Sequence, residues 1–346
     1  MASRTRSSRK PLRRSILCGA LAALALAAGQ GTAGSATARA GSPFVVCLAL
    51  DDGVGSALNP LAIAGLDEAR RDGVTAYVRR SDMPATDAAT VRSCLLTGAS
   101  LTIGVGVLME NALDSIATAN PDRRFAIVNA AVESLAHRPH NVTGLVFRAE
   151  QAGYLAGYAA GLWAKHHPIH GNHVVGSVGS ISIPPVDSYL AGFEYGARRA
   201  DPKVTVVNEY TQNTLDPAKC RQRANAEIAK GASVVFAVAG PCGQGVFTAA
   251  RVAGILAIGS DIEPTPSPAW MMTSAVKRSD VAVLEAISAA SAGTLRGGTD
   301  LILGIRNGGV ALGTWSPRVP ASIRAAVAAQ TRLLQAGKLQ DIPTTL

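Results

Sequence analysis

The chain reads as an α/β protein of two doubly wound parallel-sheet lobes joined by three crossovers. From residue 43 onward, short runs rich in Val, Ile and Phe alternate with helical patterns of about 12 to 18 residues, the mark of parallel βαβ units. The series runs through once to residue 147 and then begins again. About 306 residues follow the N-terminal segment, more than one hydrophobic core usually supports.

The first lobe opens at 44–50, a continuous apolar run of the kind covered on both faces of a sheet. Residues 51–55 turn the chain, Leu58, Ala62, Leu66 and Ala69 mark one helix face, and Gly73 closes that helix before a strand near 74–78. A helix over 86–97, a strand over 101–107, a helix over 111–119, a strand over 125–128 and an extended segment over 142–147 complete the series. The second lobe starts with a long helix over 148–165. Strands at 174–178, 204–207, 234–238 and 256–258 then alternate with helices near 186–199, 217–230 and 246–253. The remaining pieces are an apolar run over 271–276, a helix over 280–292, strands at 301–303 and 310–312 and a helix over 321–336. They are too few for a third domain and fit as returns to the two lobes. The expected division is 43–145 plus 277–303 for the N-terminal lobe and 146–276 plus 304–346 for the C-terminal lobe, with crossings near 145, 276 and 304. Open α/β sheets bind ligands beyond the carboxyl ends of their strands, and two lobes facing each other across hinge segments close on a solute.

Residues 1–40 read as a signal peptide. Arg4, Arg6, Arg9, Lys10, Arg13 and Arg14 precede an apolar stretch over 16–28, too short for the roughly 20 residues a bilayer requires. Ala38-Arg39-Ala40 offers a cleavage site. Arg13-Arg14-Ser15-Ile16-Leu17 resembles a twin-arginine signal, so the general secretory (Sec) and twin-arginine (Tat) routes both stay open. Cys18 lies near the start of the apolar stretch rather than after it, which is not the place of a lipid-bearing cysteine. The expected location is periplasmic, extracellular or at the cell surface, with no stable membrane insertion after cleavage. The net charge of +9 falls to +2 once the seven basic residues before residue 41 are removed, so no nucleic-acid partner is expected.

Four cysteines remain, Cys47, Cys94, Cys220 and Cys242, an even number in an oxidising compartment. Of the three pairings, Cys47 with Cys94 and Cys220 with Cys242 is favoured, because each pair lies within one lobe and a bridge across lobes would hinder closure; free buried thiols are the alternative. None of the four has the spacing of a zinc site. His166, His167, His170 and His173 occupy a short connection with Pro168 and Gly171 and read as a solvated loop, so no metal and no cofactor is expected. A Gly-x-Ser-x-Gly elbow, a metal-ligand helix and a phosphate-binding Gly-x-x-x-x-Gly-Lys-Ser/Thr loop are all lacking, which argues against an enzyme.

Candidate binding residues come from the strand ends. Gly240, Gly243 and Gly245 stand between a strand and a helix, where glycine lets backbone N–H groups approach a ligand oxygen or simply makes a tight turn. Asp261 follows a strand, where its carboxylate can accept from two neighbouring hydroxyls or cap the Pro-rich loop over 264–268. Lys277 falls at a lobe crossing, as a donor to a ligand oxygen or as a hinge-surface charge.

Several segments also resemble the basic-membrane-protein family of substrate-binding proteins, best known for the purine nucleoside receptor lipoproteins. They are Phe147-Arg148-Ala149-Glu150-Gln151-Ala152-Gly153, Ala191-Gly192-Phe193-Glu194-Tyr195-Gly196-Ala197, Val238-Ala239-Gly240-Pro241-Cys242-Gly243-Gln244-Gly245, Ile258-Gly259-Ser260-Asp261 and Thr273-Ser274-Ala275-Val276-Lys277-Arg278. The resemblance implies a type I periplasmic-binding-protein fold. It also implies a monomer that presents a nucleoside or similar small polar ligand to an ABC permease with a separate ATPase subunit, with Asp261 and Lys277 on the ribose. The first lobe departs from the family pattern, which carries an acidic pair, Ser, Phe and Asn at the start of its first helix. Here Asn59 persists, the acidic pair is absent or displaced to Asp51 and Asp52, and Leu58 stands where a ring would stack on a purine. Asn129 takes the place of an Asp, and Phe147, Tyr154 and Trp270 are the aromatic replacements to examine. A binder of a non-nucleoside solute such as a sugar, and an extracellular ligand sensor, are the alternatives.

Overall fold

The computed structural model describes residues 43–51 and 56–346, so the expected signal peptide and Asp52 lie outside the described residues. In chain order the first elements are β1 (Val45–Asp51), α1 (Asn59–Arg71), β2 (Thr75–Ser81), α2 (Asp87–Leu95), β3 (Leu101–Val105), α3 (Glu110–Thr118), β4 (Phe125–Val128) and β5 (Val142–Phe147). Then come α4 (Ala149–His166), β6 (Val174–Gly179), α5 (Pro184–Ala200), β7 (Thr205–Tyr210), α6 (Pro217–Ala229), β8 (Ala232–Val238), α7 (Gln244–Ala253) and β9 (Leu256–Asp261). The chain ends with β10 (Met271–Lys277), α8 (Ser279–Ser291), β11 (Thr299–Leu303), β12 (Val310–Leu312) and α9 (Ala321–Gln335).

The strands form two six-stranded sheets, in the orders β11-β5-β4-β3-β1-β2 and β12-β10-β9-β8-β6-β7. Every pairing is parallel except β12 against β10. Along β1, Val46, Leu48 and Leu50 join the cluster that holds Leu66 of α1 and Ala282 of α8, whereas Cys47 and Ala49 join Val91 of α2 and Leu113 of α3. Along β8, Val234 and Phe236 pack with Tyr189 and Phe193 of α5, whereas Val235 and Ala237 pack with Cys220 of α6 and Val246 of α7. A strand with apolar side chains on both faces needs a helical layer on each side, and this is why the continuous apolar runs of the sequence become central parallel strands.

Close helix approach requires small residues at two places. A Cβ on Gly157 of α4 would strike the Phe193 carbonyl oxygen of α5, and one on Gly245 of α7 would strike the Pro217 carbonyl oxygen of α6. Among the described residues, two disulfides join Cys47 of β1 to Cys94 of α2 and Cys220 of α6 to Cys242, with Cα–Cα separations of 5.5 and 5.6 Å.

The chain passes from the first sheet to the second after β5 and after β11, and back again after β10. These three passages are knitted together: Arg148 N donates to Leu303 O at 2.8 Å, and Arg278 N donates to Gly309 O at 2.8 Å. All three leave from the carboxyl ends of strands, so those ends of the two sheets face one another. Ser279 Oγ donates to Leu58 O at 2.8 Å, which fastens the end of β10 beside the start of α1.

Candidate functional site

The two sheets present matched positions to the space between them. β4 and β9 hold the third place in their sheet orders, and each is terminated by a non-glycine residue in the left-handed region, Asn129 at φ 70° and Asp261 at φ 66°. Outside glycine, Asn and Asp adopt this conformation most readily, and such backbone recurs where a side chain must be aimed into a site. The neighbouring strands β3 and β8 are likewise followed by left-handed glycines, Gly106 at φ 93° and Gly240 at φ 55°. The backbone therefore turns sharply at the same two rungs of both sheets.

In the second sheet these turns bring two of the sequence candidates into contact. Lys277, the last residue of β10, is 2 % exposed, and its Nζ lies 3.1 Å from Asp261 Oδ1. The ammonium also lies 4.6 Å from the ring centre of Tyr189 on α5. The Tyr189 hydroxyl donates to Ala275 O at 2.9 Å. Burial first, and the Asp261 charge second, push the phenol well above its ordinary value, so it stays a neutral donor. A buried cation held by one carboxylate and one ring face keeps N–H donors for a further oxygen, while Asp261, 22 % exposed at its side chain, keeps lone pairs on the open side. The pair can thus donate to one ligand oxygen and accept from an adjacent hydroxyl.

In the first sheet, Asp51 and Asn59 are buried, and Asn59 Nδ2 donates to Asp51 O at 2.7 Å, joining the end of β1 to the start of α1. Asn129 is half-buried, and its N–H donates to Leu145 O at 2.9 Å. Leu58 is 4 % exposed and packs into the core, so no ring lines that wall at its position. Of the aromatic candidates, Phe147 ends β5 at the facing ends. Tyr154 is instead fully buried and bonds Gln330 Oε1 of α9, and Trp270 packs on Phe247 beneath the second sheet.

The three glycines serve different needs. Gly240 makes the left-handed turn after β8 and is exposed. A Cβ at Gly243 would meet only ordinary contacts, the nearest at 3.5 Å to the Ala237 Cβ. Gly245 meets a packing requirement between α6 and α7 rather than a ligand, because the Pro217 backbone fills the space beside its Cα. Both glycines looked alike in the sequence because a tight turn and a helix contact demand the same residue.

Sequence reasoning missed Tyr189, which sits within the apolar stripe of α5 and reads as core. It also missed a repeated clasp at the passages. Arg148 Nε donates to Glu150 Oε1 at 2.7 Å, and Arg278 Nη2 lies 2.6 Å from Asp280 Oδ2. In each case an Arg capping a helix holds the acid two residues on, and aligning the ends of β5 and β10 reveals it. Burial opposes ionisation of Asp280, but the Arg278 guanidinium prevails and holds its carboxyl below the usual range. Among the described residues, no group of three His, Cys, Asp or Glu side chains is placed to hold a metal ion, and no helix is long and apolar enough to cross a membrane.

Comparison with known proteins gives this architecture a family. A model of the ABC transporter substrate-binding proteins described as PnrA-like matches residues 74–335. Basic membrane protein B of Borrelia garinii is 32 % identical over 222 residues, covering 63 % of this chain and 63 % of that protein. The CD4+ T-cell-stimulating antigen of Listeria monocytogenes is 26 % identical over 250 residues, covering 66 % of each. The chain thus spans about two thirds or less of the length of these curated relatives. Among solved structures, an ABC transporter solute-binding protein from Aeropyrum pernix superposes with a TM-score of 0.71 at 24 % identity, over 87 % of this chain and 94 % of that one. One from Conexibacter woesei gives 0.68 at 24 % identity, over 88 % and 100 %. The fold is that of the type I periplasmic binding proteins, and the family is one of substrate-binding proteins rather than enzymes. With the family model running from β2 through α9 and across all three passages between the sheets, this chain belongs to the PnrA-like family of ABC transporter substrate-binding proteins.

Proposed function

We propose that this protein is the extracytoplasmic solute-binding component of an ABC importer, and that it closes its two sheets around a nucleoside or a similar small polar molecule. The observation that carries the reading is the Asp261–Lys277 pair at the facing ends of β9 and β10, one group a donor and the other an acceptor. Adjacent hydroxyls of a ribose match that pair, which agrees with the residues the family resemblance singles out. Asn129 and the Gly240 turn supply amide and backbone groups at neighbouring strand ends, while Asn59 and Asp51 hold the end of β1 to the start of α1. The closed form would dock on a permease whose ATPase is a separate chain.

Leu58 favours a second reading within the same mechanism. With an aliphatic side chain buried where a ring would stack, a sugar or another non-purine solute fits the first-sheet wall as well as a nucleoside does. A thermal-shift screen against nucleosides, free bases, sugars and amino acids separates the two, since a ligand at about 100 times its Kd stabilises by about 2.7 kcal/mol. A shift with inosine, guanosine or adenosine supports the nucleoside reading. A shift with sugars alone replaces it, and no shift with any class, at ligand concentrations in the millimolar range, removes the solute-binding proposal.

A further inference from the structure

The end of the second sheet remote from the facing strand ends carries a one-sided charge. In a βαβ series each helix runs back from the carboxyl end of one strand to the start of the next, so α4, α5, α6 and α7 all finish at this end. α4 finishes with Lys165 and His166, α5 with Arg198 and Arg199, α6 is followed by Lys230, and α7 carries Arg251 in its last turn. Lys203 stands in the α5–β7 connection, and Arg318 reaches the same region, where its Nη2 donates to Gly254 O at 3.1 Å. All of these basic side chains are exposed.

Within the helix-to-strand connections the acid is Asp201, which is buried and held by His173 and by Lys203 N, and Glu263 of the β9–β10 loop is engaged by Thr314 N of the segment that carries Arg318. Arg198 is paired with Glu194 and Lys230 with Glu209, both of which stand further up their elements. A cation at a helix C-terminus is ordinary complementation of the helix dipole. The corresponding end of the first sheet shows what that alone produces, because there Glu68, Asp72 and Asp122 are interleaved with Arg70, Arg71, Arg123 and Arg124. The excess at the second sheet is therefore particular to that end. His173, Lys203 and Lys230 also line a cavity of about 350 Å³ with Gly171 and Asn172, large enough for a phosphate group.

We propose that this end of the protein is a docking surface for an anionic phospholipid bilayer, with lipid phosphates between Lys203, Lys230 and His173. The basic side chains are exposed on helix ends and short connections, a charge complementary to a layer of lipid phosphates. The face lies opposite the strand ends that carry Asp261 and Lys277, so docking would leave the space between the sheets open. The proposal does not depend on which solute is bound there.

The test is co-sedimentation of the full chain with vesicles of phosphatidylcholine alone or with about one third phosphatidylglycerol, at low salt. Lys165→Glu combined with Lys203→Glu should lower the partition coefficient on anionic vesicles by at least about tenfold, with each exposed cation contributing roughly a fivefold factor. Arg71→Glu combined with Arg123→Glu, at the first-sheet end, should leave it within about twofold. Every variant keeps the same basic N-terminal segment, so the difference isolates the second-sheet end, and unchanged melting temperatures confirm folded protein. Equal loss in both pairs of variants, or none in the first, overturns the proposal. So does a preference for soluble polyphosphate that removes vesicle binding without any lipid dependence.

Discussion

At Asp261 two requirements coincide, a left-handed backbone and a carboxylate beside a buried ammonium. Asp261→Asn keeps the residue type that tolerates that backbone while removing the charge, and it should weaken solute binding by about 1 to 3 kcal/mol in titration calorimetry. Unchanged affinity would take Asp261 out of the site. Lys277→Met preserves the aliphatic stem over Tyr189 and should weaken binding to a similar degree, about 1 to 3 kcal/mol. A different residue contributes to the response to pH. Glu227 of α6 is fully buried, and burial, then the neighbouring Glu209 charge, push its carboxyl well above the ordinary 4.5. The unfolded chain ionises near the ordinary value while the folded chain keeps its proton. Stability from this group is thus fully present at low pH and is lost as pH rises from about 4.5 through the folded value. Glu227→Gln removes that titration, and urea midpoints between about pH 4.5 and about pH 7.5 should decline less steeply than in the parent. Asp261 and Lys277 stood out in the sequence because one follows an apolar strand, the other falls at a lobe crossing, and both lie in segments that resemble the family. Tyr189 did not, because its ring meets Lys277 from inside a helix stripe that periodicity assigns to packing.

Among the elements, the helix pairs carry the sharpest stability prediction. Gly157→Ala places a methyl against the Phe193 carbonyl, so α4 and α5 must separate, and thermal unfolding should show a loss of about 1 to 3 kcal/mol or more. Gly245→Ala should do the same to α6 and α7, whereas Gly243→Ala, with only ordinary contacts around it, should stay within about 0.5 kcal/mol. The strands were the most legible elements, since a sheet covered on both faces leaves uninterrupted apolar runs such as 232–238. The direction of β12 was not legible. Three residues establish no crossover, and its antiparallel pairing with β10 follows from the return of the chain at Gly308 and Gly309, where Gly309 N bonds Gly304 O.

For the whole molecule, the two disulfides close loops of 47 and 22 residues. In the chain-entropy account their reduction should cost about 4 and about 3 kcal/mol respectively, measurable as a lower denaturant midpoint in reductant. Closure on a solute should reduce the radius of gyration in X-ray scattering, because the passages at 147–148, 277–278 and 303–305 let the sheets approach without breaking either core. Those passages also bear on synthesis. The first sheet begins with β1, yet it receives its helix α8 and its edge strand β11 only after the five strands β6 to β10 of the second sheet and the helices α4 to α7 have been made. Val46, Leu48 and Leu50 must therefore wait for Ala282, Val283 and Ala286 on a helix made more than two hundred residues later. As the chain leaves the ribosome, the half that emerges first cannot be the half that is finished first, and a nascent chain stopped before residue 279 would display to any chaperone within reach the part of that apolar face that α1 does not cover.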